Sequence, residues 1–313
     1  MNLASGVRDD LLAAVRLAST FAPLGTSEEL EQLLYTSWFT HAGSAVDRPD
    51  ASSADADPFA PTLMARLRAA HGATARFEHG WTARGVSAGG VVVAERGGES
   101  VEFAPPDYVN MDHPCVPARS GDRLAVTTRR DGADESGGWW VAYATVGPAP
   151  ESDMVRLYWN CPVESAPLLV AGISGVVESL GVPYTLKCPA ASELFDRVDP
   201  VVLYLGLDRW ADATEPLRRL HESLADYLRL AVPPLTLPMG RGAAVAEDPS
   251  DGQSFGQSRA RAVAAGLVRA SALGLSGEAE TIAVILEQLT ANGISPIRPY
   301  QRVDSPPDRL TRW

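Results

Sequence analysis

Trp140-Val141-Ala142-Tyr143-Ala144-Thr145-Val146 and, a short turn later, Met154-Val155-Arg156-Leu157-Tyr158-Trp159 are rich in β-branched and aromatic residues and read as successive β-strands. Working back toward the N-terminus, Val91-Val92-Val93 and Leu124-Ala125-Val126-Thr127-Thr128 have the same texture, with Gly- and Asp-rich turns such as Arg130-Asp131-Gly132 between the runs. Working forward, the periodicity predicts a helix over about 165–180, a strand into Lys187 and a strand over Val201-Val202-Leu203-Tyr204-Leu205. It then predicts a helix near 215–230 and two more over about 255–273 and 277–292. Strands that come first as a meander, with helices interspersed only later, predict an α+β fold: an antiparallel or mixed sheet with surrounding helices. No Gly-rich phosphate loop follows any strand, which disfavours a nucleotide-binding fold.

Before the strands lies an N-terminal helical region. Val7, Leu11, Leu12, Val15 and Leu17 recur at helical spacing, and so do Leu30, Leu33 and Leu34 behind the cap signal Thr26-Ser27-Glu28-Glu29. The Pro-flanked polar stretch 47–58 reads as an exposed connection. This reading divides the chain into a helical region, 1–85, and an α+β catalytic domain, 86–313.

Composition narrows the function. A net charge of −12 argues against nucleic-acid and anionic-membrane partners, since phosphate backbones and anionic lipids call for a basic surface. There is no run of about 18 apolar residues and no secretory layout at the N-terminus, so a cytoplasmic protein is expected. Three cysteines, an odd number, read as reduced thiols. Of the 27 Lys and Arg residues, Lys187 alone is lysine. Where arginine occupies every other basic position, a retained lysine marks a task that guanidinium does not perform, namely giving up its proton to become a base or nucleophile. The alternative is a stray surface lysine.

Four segments carry the remaining polar candidates. Pro105 to Pro114 reads as a shaped loop bearing Asp112 and His113, with His113 as a general acid or as a turn residue that bonds backbone. Along Arg156-Leu157-Tyr158-Trp159-Asn160, strand alternation puts Arg156, Tyr158 and Asn160 on one face, as a phosphate-gripping triplet or as a wet edge. Lys187 ends a strand just before Pro189. The loop 248–259 leads into a helix with Ser254 at its start and Arg259 in its first turns, an anion site or ordinary capping. A zinc site from Cys115, Cys161, Cys188 and His113 has the wrong spacing, because only His113 and Cys115 are paired.

Taken together, Tyr108-Val109-Asn110 with Asp112-His113-Pro114, Arg156 to Asn160, Leu186-Lys187-Cys188-Pro189, Arg197-Val198-Asp199 before Val202-Leu203-Tyr204, and Ser254-Phe255-Gly256 with Arg259 resemble the HopA-type effector family over roughly 86–290. That resemblance implies a phosphoserine/phosphothreonine lyase working without metal or cofactor. Its substrate would be a phosphorylated ribosomal precursor peptide supplied by an aminoglycoside-phosphotransferase-like kinase. It further implies Lys187 as the base, His113 as the acid toward the leaving phosphate, and Tyr158 assisting the acid or the enolate. Arg156, Arg197 and Arg259 would bind phosphate, and Asn160, Asp112 and Ser254 would contact substrate. Two other readings stay open at this point: a non-catalytic module that binds the precursor peptide, and an effector lyase acting on host phosphoproteins.

Overall fold

The computed structural model describes residues 3–21, 26–41, 62–73, 76–105, 107–128, 130–134, 136–249, 252–310 and 313; the 47–58 connection lies outside them. The chain forms two compact units, residues 73–132 and residues 1–72 with 133–313.

The smaller unit is a five-stranded antiparallel sheet. Its strands are β1 (Arg76–Val86), β2 (Val92–Arg96), β3 (Glu99–Phe103), β4 (Tyr108–Asn110) and β5 (Arg123–Thr128), in the order β3-β2-β1-β5-β4. Trp81, Val92, Phe103, Leu124 and Val126 fill its core. Strand β1 falls where helical pattern was expected to continue to residue 85. It is broken by a register shift between Glu78 and Trp81, where Gly80 takes a positive φ of 87°, so the period-2 signal is interrupted.

The second sheet consists of β6 (Asp131–Ala133), which begins two residues before the unit boundary, and six strands of the larger unit, β7 (Trp139–Tyr143), β8 (Met154–Trp159), β9 (Tyr184–Pro189), β10 (Val201–Gly206), β11 (Leu237–Gly240) and β12 (Ala243–Glu247), ordered β11-β12-β8-β10-β9-β7-β6. Strands β8, β10, β9 and β7 pair antiparallel with continuous register. Alternation therefore sorts every side chain to one of two faces. Leu157, Trp159, Leu186, Cys188, Leu203 and Trp140 point into one core, which is closed by α4 (Ala166–Ser179) and α5 (Trp210–Leu224). Tyr158, Val202 and Ala246 point to the other face and meet α1 (Ser5–Ser19), α2 (Ser27–Leu33), the π-helical segment Leu34–Phe39, α6 (Phe255–Ala272) and α7 (Glu278–Ala291) in a second core. The remaining helix is α3 (Leu63–Ala70). This is the expected α+β architecture, with antiparallel pairing throughout the recorded registers. Among the described residues no helix is long and apolar enough to cross a membrane.

Candidate active site

Register builds the site. On β10, Val202 lies opposite Tyr158 on one side and Lys187 on the other. Tyr158 and Lys187 thus share a face two strands apart, about 10 Å at ordinary strand spacing. Val141 is opposite Lys187, and Trp139 is opposite Pro189, so Trp139 stands diagonal to Lys187 on the same face. Lys187 Nζ lies 4.9 Å from the centre of the Trp139 ring and 3.3 Å from Asp134 Oδ2. Its side chain is 30% exposed, neither loose in solvent nor sealed. Burial pulls the Asp134 carboxyl up, and the hydrogen bonds from Ser136 and Lys187 outweigh it and hold that carboxyl below the usual carboxylate range.

Arg197 reaches the same ring, its guanidinium carbon 5.3 Å from the Trp139 centre and 5.7 Å from that of Tyr35. Asp199 grips it twice, accepting from Nε at 2.8 Å and from Nη2 at 2.9 Å, and Nη2 also donates to Tyr35 Oη at 3.3 Å. The Val198 N–H donates to the Thr40 carbonyl at 2.8 Å, so the stretch from the π-helical segment through residue 40 braces this loop. Nη1 of Arg197 has no partner among the described residues, which leaves one edge of the fork for an anion. Arg156 has a similar arrangement: Nε and Nη2 bind Asp248, Nη2 donates to the Gln253 carbonyl at 3.1 Å, and Tyr204 lies beneath the guanidinium.

The other expected site residues have different surroundings. Arg259 is 1% exposed, donates from Nε and Nη2 to the Pro299 carbonyl at 3.0 and 2.8 Å, and lies 3.9 Å over the Phe255 ring; this buried placement ties the C-terminal segment to α6. Ser254 caps α6 in a reciprocal box with Gln257, the capping alternative read from sequence. Phe255 packs on Phe39 and Tyr158. Tyr158 is buried, and burial pushes its phenol well above the ordinary range even though Arg156 acts in the opposite direction. Asn160 is buried just past β8, with Nδ2 donating to the Ala231 carbonyl at 2.8 Å. Asp112 and His113 belong to the 73–132 unit. Asp112 pairs with Arg123, Nη2 to Oδ1 at 2.7 Å, and exposed His113 donates its backbone N–H to Asn110 Oδ1 at 3.0 Å. Cys161 and Cys188 are buried and Cys115 is exposed.

Lys187, Arg197, Arg156 and Tyr158 therefore belong to one unit, with the first two on one aromatic ring. Asp134, Trp139 and Tyr35 were missed from sequence. Only Asp134 carried a local signal, as an Asx-type residue ahead of Ser136-Gly137-Gly138. Lys187 thus has a carboxylate neighbour, Asp134, beside the ring it shares with Arg197.

The model of the HopA1 effector protein family matches residues 133–301. The solved effector protein from Pseudomonas syringae pv. tomato strain DC3000 is similar at 15% identity and a TM-score of 0.54, over 95% of this chain and 97% of that one. That from Pseudomonas syringae pv. syringae strain 61 is similar at 13% identity and a TM-score of 0.53, over 96% and 99%. At such identities these structures show a shared fold. No curated protein matches the chain.

Proposed function

The chain belongs to the HopA1 effector protein family, and from that premise we propose that it is a phosphoserine/phosphothreonine lyase with Lys187 as base. The observation that carries the reading is the placement of its one lysine: Lys187 Nζ and the Arg197 guanidinium flank a single ring, Trp139, 4.9 and 5.3 Å from its centre. A base and an anion-holding fork beside one another are what β-elimination from a phosphoamino acid needs. In the proposed step the Cα–H bond breaks and its proton goes to Nζ. A double bond forms between Cα and Cβ, and the Cβ–O bond breaks. The monoprotonated phosphate leaves with that oxygen as hydrogen phosphate, and a dehydroalanine or dehydrobutyrine remains. Arg197 and Arg156, through Nη1, neutralise the departing charge. Arg259 braces the scaffold through Pro299.

The proposed substrate is a ribosomal precursor peptide phosphorylated by a separate aminoglycoside-phosphotransferase-like kinase. A second reading has its own support: the similar solved proteins are described as effectors, which favours a host phosphoprotein as substrate. The full-length protein incubated with a phosphothreonine peptide should release inorganic phosphate, and the peptide should lose the mass of one phosphoric acid. Unchanged peptide mass with the wild-type protein would refute the lyase reading.

A further inference from the structure

Asp134 has no role in the elimination as written, yet its carboxylate is held more firmly than a surface turn requires. Oδ1 accepts from Ser136 Oγ at 2.7 Å and from the Trp139 N–H at 3.3 Å, while Oδ2 accepts from Lys187 Nζ at 3.3 Å. The backbone closes the same turn, Asp134 N–H to the Trp139 carbonyl and Gly137 N–H to the Asp134 carbonyl, both 2.9 Å. Gly137 supplies the positive φ of 70° that the turn needs. The turn thus presents one carboxylate oxygen to the amine and the Trp139 ring to its flank. We infer that Asp134 is a positioning residue that directs Lys187 Nζ at the substrate α-carbon and supports the ammonium that forms there. This inference rests on the lyase reading.

The physical reason is differential. A neutral amine donates one N–H to Oδ2 and keeps its lone pair for the α-proton. Once the proton arrives, the same contact becomes an ion pair, so it is stronger after transfer than before and lowers the barrier. Among the described residues, the other charged or ionisable groups on this face include Arg197, itself clamped by Asp199, with Tyr35 beneath it, Tyr158 across Val202, and Arg156 with Tyr204 farther along. None of them is recorded within hydrogen-bond reach of Nζ.

Asp134→Asn separates this role from turn-making, since an amide oxygen still accepts from Ser136 and from the Trp139 N–H while the negative charge is gone. Phosphate release by the full-length variant should show kcat lower by about 10- to 100-fold, the range for losing one charge-assisted hydrogen bond, with KM within about two-fold of wild type. Asp134→Glu should recover part of the loss. Because Lys187 is the chain's one ε-amine, a second measurement needs no turnover: acylation of Nζ by a small anhydride, followed by peptide mass mapping, should run several-fold faster in Asp134→Asn. An unchanged kcat or an unchanged acylation rate overturns the inference. If the wild-type protein eliminates nothing, the lyase reading fails by itself and the acylation comparison alone decides whether Asp134 engages the amine. Should the Asn variant not fold, Asp134→Glu takes its place in the acylation comparison, where a rate equal to wild type with kcat also unchanged overturns the inference.

Discussion

Asp10 on α1 shows what a single partly buried carboxylate does in this fold. Its Oδ2 accepts the Leu235 N–H at 2.8 Å, where Leu235 holds a positive φ of 60°, an unfavourable conformation for a branched side chain. Burial raises the Asp10 carboxyl to about 6, outweighing the Leu235 hydrogen bond, with Asp9 adding to the rise. The folded state therefore binds a proton more tightly than the unfolded chain. The stabilisation this provides is present at low pH and is lost as pH rises from about 4 through 6. Denaturant unfolding of wild type and Asp10→Asn between pH 4 and 7.5 should show the variant gaining on wild type across that window, by on the order of 2 kcal/mol. A difference between the two that stays flat with pH would contradict the burial of this group. At the same scale, sequence singled out Lys187 by its rarity, whereas Trp139, Tyr35 and Asp134 carried no comparable mark. Their importance comes from strand register and from a loop braced by Tyr35 and Thr40, far earlier in the chain, and neither is written in local pattern.

At the scale of elements, the motif Ser254-Phe255-Gly256 explains why the N-terminal helices sit where they do. Ser254 caps α6, and Phe255 packs on Phe39 and Tyr158. A Cβ on Gly256 would come within 2.4 Å of the Phe39 ring. Gly256→Ala should thus cost about 1–3 kcal/mol by overpacking, read as a lower unfolding midpoint; a midpoint within error of wild type would show that the π-helical segment yields freely. Helices with clean periodicity and caps were legible: α1, α2 with the Thr26 capping box, α4, α6 and α7 fall within a few residues of expectation. Helix α5 starts at Trp210, earlier than expected: it follows directly on a short 3-10 segment, and its buried stripe of Trp210, Ala213, Leu217, His221 and Leu224 already begins there. Strand β12, Ala243-Ala244-Val245-Ala246-Glu247, escaped notice because alanine has little intrinsic strand preference; full burial between β8 and β11 makes it a strand.

For the whole molecule, the fold class could be read from the order of strands and helices, since a meander followed by helices leaves few arrangements. The separate compactness of residues 73–132 could not, because its strands have the same composition as those of the larger sheet and only pairing distinguishes them. The family match begins at residue 133 and so spans the strands that carry Lys187 and Arg156 and the loop that carries Arg197. On this account one primary amine is the working group of a chain otherwise furnished with arginine. The most direct test compares wild type with Lys187→Arg on a phosphothreonine peptide carrying hydrogen or deuterium at the α-carbon. Wild type should eliminate phosphate more slowly from the deuterated peptide, and the variant should eliminate none while still unfolding cooperatively. Phosphate release by the arginine variant at the wild-type rate would contradict the claim that this amine removes the proton.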